Sequence, residues 1–188
     1  MFVIGLCGFK GSGKTYLAER ISDVFHDTVI LNFADPLKEI VKLFGVPKDE
    51  LDGKDTLTRF LKETPHPNLS RIFGSPTSPR DALIRIGMGL REIVHEDIWV
   101  KMLEDMLIDS MRKGHNVIIG DVRLKNEIDL VRRYDGKLVL VKSIDKMSRE
   151  LHRTETEWQS ENFDYVFDNT DREKFEHNLK EFIEWMKT

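Results

Sequence analysis

One cysteine, Cys7, stands alone in 188 residues, so no disulfide can form within the chain. A small scaffold stapled by disulfides is excluded, and Cys7, lying in an apolar run, reads as a buried small hydrophobe. Long hydrophobic stretches are missing as well. The longest, residues 2–8 and 117–120, fall far below the ~18 residues that span a bilayer. No basic segment followed by an apolar one opens the sequence, so the expectation is a chain neither embedded in a membrane nor exported, set in a reducing cytoplasm. An excess of one charge is absent: 29 Lys and Arg face 33 Asp and Glu, a net charge of −4. That balance disfavours a nucleic-acid binder. There is no internal repeat, and with 40% hydrophobic and 33% charged residues the chain is not a disordered one.

What is present is alternation. Apolar runs exchange with stretches of helical period, the pattern of repeated strand–helix crossovers and of a parallel sheet. Short strands are expected at 2–7, 28–33, 116–120, 137–142 and 163–167, most of them rich in β-branched or aromatic residues. Helices are expected at 14–25, with Leu17, Ile21 and Val24 on one face, and at 36–44, with Leu37, Ile40, Val41 and Phe44. Ser78-Pro79-Arg80-Asp81 supplies a cap, a first-turn proline and an acid to open a third helix. A fourth is expected at 97–113 and a fifth from about 172. Residues 47–77 and 145–162 break the pattern and read as mobile insertions over a site.

Gly8-Phe9-Lys10-Gly11-Ser12-Gly13-Lys14-Thr15 matches G-x-x-x-x-G-K-[ST] between an expected strand and an expected helix. In that setting the backbone N–H groups turn toward phosphate oxygens and Lys14 reaches the β/γ-phosphates. The Thr15 hydroxyl is then a Mg²⁺ ligand, and Lys10 is an extra cation within the loop. Asp121 follows the strand NVIIG where a Walker-B carboxylate would hold Mg²⁺, and strand alternation would put Arg123 on the same side. Asp35, before Pro36, reads either as a helix N-cap or as a carboxylate that orients the acceptor phosphate or a Mg²⁺-bound water. The chain lacks N-K-x-D and LSGGQ, which turns the reading from guanine switch and transporter ATPase toward a small-molecule kinase. A dephospho-coenzyme A kinase-like enzyme and a noncatalytic P-loop regulator stay open as alternatives.

The P-loop is followed by Phe33-Ala34-Asp35-Pro36-Leu37-Lys38, Ser78-Pro79-Arg80, Ile86-Gly87, Ile98-Trp99-Val100-Lys101 and Asp121-Val122-Arg123 with Glu127. In this order and spacing the series resembles the bacteriophage-type deoxynucleoside monophosphate kinases over nearly the whole chain. The resemblance implies an α/β P-loop kinase fold, three layers α/β/α around a five-stranded parallel sheet ordered 2-3-1-4-5. It implies one domain over 1–188, with an acceptor-binding insertion at about 46–80 and a lid at about 145–162. ATP with Mg²⁺ would phosphorylate a dNMP to the dNDP, feeding dNTP synthesis, and a homodimer is among the assemblies such families form. Lys10, Asp35, Lys38, Arg80, Gly87, Asp121 and Arg123 would serve the acceptor monophosphate, with Trp99 and Glu127 against its sugar and base. Gly8, Gly11, Ser12, Gly13, Lys14 and Thr15 would hold the ATP phosphates and Asn169 would lie in the loop beside the adenine. Arg149 and Arg153 would close over the triphosphate as a lid.

Overall fold

Five strands, β1 (Val3–Cys7), β2 (Thr28–Leu31), β3 (Asn116–Ile119), β4 (Lys137–Lys142) and β5 (Tyr165–Asp168), form one parallel sheet in the order β2-β3-β1-β4-β5. The computed structural model from which this follows describes residues 1–143 and 157–187. Every neighbouring pair is parallel, with Ile4 beside Ile118 and Gly5 beside Leu138. A parallel pair needs a crossover, so both sheet faces are covered and the inner strands are apolar throughout. All five residues of β1 are buried.

Alternation along β1 assigns the layers. Ile4 and Leu6 share a core with Leu17 and Ile21 of α1 (Lys14–Val24) and with Leu179, Phe182 and Ile183 of α9 (Phe175–Met186). Gly5 points to the opposite face, where a Cβ would sit 2.9 Å from a methyl of Val131. Val131 belongs to α8 (Lys125–Arg133), which packs so close to β1 that the strand has room only for glycine there. The structure therefore has the three α/β/α layers and the strand order that the sequence resemblance implies.

The chain divides into two compact units, Met1–Asn32 with Leu103–Thr188, and Phe33–Met102. The first holds the sheet with α1, α8 and α9. The second is helical and contains α2 (Ala34–Lys42), α3 (Lys48–Asp52), α4 (Thr56–Glu63), α5 (Pro67–Phe73) and α6 (Pro79–Ile93). Its boundary at Met102 falls within α7 (Ile98–Arg112). Leu37, Val41, Leu51, Leu69, Ala82 and Trp99 are its buried apolar residues, together with neighbours such as Val46 and Val100.

Two expectations need correction. Residues 47–77 are not a loop but carry three short helices whose ends are individually stabilised. Asp55 and Thr58 exchange bonds at the start of α4; Pro67 occupies the first turn of α5, and the His66 N–H donates to the Thr77 carbonyl at 2.9 Å. Asp35 is not an N-cap, because α2 begins at Ala34 and places it inside the first turn. Among the described residues no helix is long and apolar enough to cross a membrane.

Candidate active site

The phosphate-binding loop lies where β1 ends and α1 begins, both in the first unit. Its turn is closed by the Ser12 N–H donating to the Phe9 carbonyl at 3.1 Å, and α1 starts with Leu17 N–H on the Gly13 carbonyl. Lys14 is 8% exposed, and its Nζ donates to the Gly8 and Phe9 carbonyls at 2.7 and 3.0 Å. The ammonium thus lies folded across the loop that bears it. Ser12 is 2% exposed and its Oγ is buried without a hydrogen-bond partner. A buried hydroxyl left unsatisfied costs about 1–3 kcal/mol unless a ligand oxygen completes it, so this atom fits a phosphate-bearing ligand.

Two contacts brace the loop from outside. The Phe9 ring meets Trp158 edge-on, centroids 5.0 Å apart, and Trp158 is buried in the 3-10 turn Glu157–Ser160. Asn169, just after β5, donates from Nδ2 to the Ser12 carbonyl at 2.9 Å. Trp158 is the one aromatic in the charged stretch 145–162, whose sequence carries no other signal of this contact. Cys7, at the base of the loop, has its thiol pushed up to about 12 by burial, against the opposing pull of Lys14. It is not a nucleophile.

Asp121 and Arg123 occupy the loop between β3 and α8, each half-buried. The alternation argument does not apply to them, because the strand ends at Ile119. Glu127 sets the path instead: its Oε2 accepts from the N–H groups of Arg123 at 2.8 Å and Leu124 at 3.1 Å, bending the chain into α8. Only 4% exposed, Glu127 terminates a helix whose N-cap residue, Leu124, has no oxygen to offer.

The second unit holds two more of the cationic residues that the sequence singles out, Lys38 and Arg80. Lys38 Nζ sits between Asp35 Oδ1 at 3.1 Å and Asp52 Oδ1 at 2.9 Å. Burial pulls the Lys38 ammonium down, but its bonds to Asp52 and Asp35 outweigh that and the net shift is upward. It is a cation at any physiological pH. Arg80, in the first turn of α6, pairs through Nε with Glu63 Oε1 at 2.5 Å. Asp52 and Glu63 come from α3 and α4, helices that sequence periodicity did not reveal. Trp99 is 3% exposed and its indole N–H donates to the Gly87 carbonyl at 3.1 Å. Gly87 itself is buried, with Leu37 where its side chain would be. Trp99 therefore presents almost no surface, which sets it apart from an exposed wall against a sugar. Arg149 and Arg153 lie outside the described residues.

A parallel sheet ordered 2-3-1-4-5, with a glycine-rich loop and a lysine joining its first strand to its first helix, defines a P-loop kinase. Comparison with known proteins narrows the class. The pattern of the family described as Deoxynucleotide monophosphate kinase matches residues 89–179. A curated protein of Acanthamoeba polyphaga mimivirus, whose given name assigns it provisionally as a deoxynucleotide monophosphate kinase, is 33% identical over 181 residues, covering 90% of this chain and 89% of its own. The chain belongs to the deoxynucleotide monophosphate kinase family and is a phosphotransferase by that membership. Solved structures of a sugar kinase from Janibacter sp. and of the shikimate kinase of Bacteroides thetaiotaomicron align with all of this chain and with 95% and 99% of theirs. Each is 14% identical, with TM-scores of 0.48 and 0.45.

Proposed function

We propose that the protein transfers the γ-phosphoryl of ATP to a deoxynucleoside monophosphate: a phosphate oxygen of the acceptor attacks Pγ, the bond from Pγ to the bridging oxygen breaks, and dNDP and ADP leave. The observation that carries this reading is the loop Gly8–Thr15 with its buried, unpartnered Ser12 hydroxyl, in a chain one-third identical to a relative that bears this family's name. Phosphoryl transfer asks little covalent chemistry of a protein and is mostly a matter of positioning and charge neutralisation. The residues divide accordingly. Gly8, Gly11, Ser12, Gly13, Lys14 and Thr15 take the donor phosphates. Lys10, Lys38, Arg80 and Arg123 take the acceptor phosphate, with Asp35 and Asp121 orienting it, and Arg149 and Arg153 join the donor group in the transition state.

Gly87, Trp99 and Glu127 serve the acceptor side from within their helices. Trp99 holds the Gly87 carbonyl, and Glu127 fixes the backbone from which Arg123 projects. The Thr15 hydroxyl and the Asp121 carboxylate are hard oxygen donors of the kind Mg²⁺ takes; they would hold the ion, which would supply neutralising positive charge beside the donor phosphates.

Incubating the protein with ATP and Mg²⁺ against a panel of dNMPs, NMPs and dephospho-coenzyme A, with the products separated, tests the reading. Acceptor-dependent ADP release with a dNDP product is expected. Turnover with dephospho-coenzyme A alone points to a dephospho-coenzyme A kinase-like enzyme, and tight ATP binding with no acceptor-dependent ADP points to a regulator.

A further inference from the structure

The residues proposed to take most of the donor phosphates' charge belong to the loop itself; a contact that holds the loop in shape comes from the far end of the chain. The Asn169 side chain donates to the Ser12 carbonyl at 2.9 Å across 157 residues of sequence. Four further bonds fix that side chain's root. The Asn169 N–H continues the β4–β5 ladder by donating to the Lys142 carbonyl at 2.9 Å. Asp168 Oδ1 accepts from the Thr170 N–H and hydroxyl at 2.9 and 2.6 Å, closing the turn immediately after Asn169. On α9, Asn178 Nδ2 donates to the Asp168 carbonyl at 2.7 Å. A side chain anchored on a sheet strand and a helix is thereby presented to the P-loop.

Gly13 records the same approach independently. A Cβ at position 13 would overlap the Asn169 amide nitrogen, so the glycine is required here for the neighbour's sake as well as for its φ of +96°. In a trans peptide the carbonyl and the following N–H point in opposite directions. Holding the Ser12 carbonyl on the Asn169 side therefore turns the Gly13 N–H away from Asn169.

We infer that Asn169 is a positioning residue for the donor triphosphate: by fixing the Ser12–Gly13 peptide plane it preorients a loop N–H toward phosphate and acts on the phosphates, not on the adenine. The inference rests on the proposed binding of ATP at Gly8–Thr15. It departs from the adenine-side place that family resemblance assigns to residue 169, and the two predict different losses.

Inorganic tripolyphosphate separates them, since it carries the phosphates without a base. Affinities of Mg·ATP and Mg·tripolyphosphate are measured by calorimetry for the wild-type protein, Asn169→Ala, Asn169→Leu and Lys14→Ala. Losing one hydrogen bond that orders a charged-ligand loop is worth about tenfold. Asn169→Ala is expected to weaken both ligands by that same factor. Asn169→Leu keeps the branched heavy-atom shape and removes the amide's hydrogen-bonding atoms, so it repeats the loss in a protein whose fold is checked by circular dichroism, should the alanine variant not fold. Weakening of ATP with tripolyphosphate untouched assigns Asn169 to the adenine and overturns the proposal, as does unchanged binding of both. Failure of the underlying reading looks different: the wild-type protein then binds neither ligand, or Lys14→Ala binds both as tightly as wild type.

Discussion

Lys14 and Ser12 were legible from residue types alone, because a phosphate loop is a local motif whose chemistry is written in consecutive positions. Trp99 was not. A tryptophan in an apolar helix reads equally as a wall for a ligand or as core, and only its burial and its bond to the Gly87 carbonyl choose between them. Removing so large a buried ring costs about 3–5 kcal/mol. Trp99→Ala is therefore expected to lower the urea midpoint strongly while leaving the ratio of kcat/KM between a dNMP and its ribonucleotide nearly unchanged. A ratio narrowed chiefly by improved ribonucleotide turnover would return Trp99 to direct sugar contact. Cys7 gives a second residue-scale outcome. Thiol reagents attack the thiolate, and a thiol whose titration is pushed to about 12 supplies almost none at pH 8. An aromatic disulfide reagent should titrate no thiol in the native protein and one per chain in urea; rapid native labelling would contradict the burial.

Elements were legible in proportion to their length. All five strands and the helices at α1, α2, α6, α7 and α9 were foreseen within a few residues at their ends, since each carries several apolar residues on one face. The three missed helices in 47–77 are 5, 8 and 7 residues long, shorter than the window over which a 3.6 period can be read, and two of them bury a single leucine each, Leu51 and Leu69. α8 was missed although Leu124, Ile128 and Val131 have helical spacing, because the charged residues among them masked the pattern.

Capping was the better signal where it existed. At α6 the Ser78 Oγ accepts from the Asp81 N–H at 3.1 Å while Asp81 Oδ2 accepts from the Ser78 N–H at 3.1 Å and hydroxyl at 2.7 Å. The Ser78 hydroxyl first, and its backbone N–H next, hold the Asp81 carboxyl below the usual carboxylate range. A depressed folded value means that the carboxylate's contribution is complete above the unfolded value, about 4, and is lost as the pH falls through the lower folded one. Ser78→Ala removes the cap and the main cause of the shift together. Its cost at pH 7, by urea denaturation, is expected to be about 1 kcal/mol, and the gap to wild type should narrow toward pH 3. A gap independent of pH would show that the Asp81 carboxylate takes no part.

For the whole molecule, the parallel sheet followed from alternation, while its strand order came with the family resemblance. The sequence does not announce the division into two units, because 33–102 carries helices and no strand and its small core is assembled from isolated apolar residues such as Leu51, Leu69 and Trp99. That division separates the proposed roles along the chain. The phosphate loop belongs to the unit containing the sheet, and Lys38 and Arg80 belong to Phe33–Met102. Ligands that bind only the native state stabilise it by mass action, by about 2.7 kcal/mol at a hundredfold excess over Kd. For a chain of this size each kcal/mol raises Tm by about 2–4 °C, so saturating Mg·ATP or dNMP should each raise it by about 5–10 °C. If the donor and acceptor assignments are correct, Lys14→Ala loses the ATP shift and keeps the dNMP shift, and Arg80→Ala does the reverse. An ATP shift abolished by Arg80→Ala but retained in Lys14→Ala would exchange the two roles, and equal losses of both shifts in both variants would dissolve the separation.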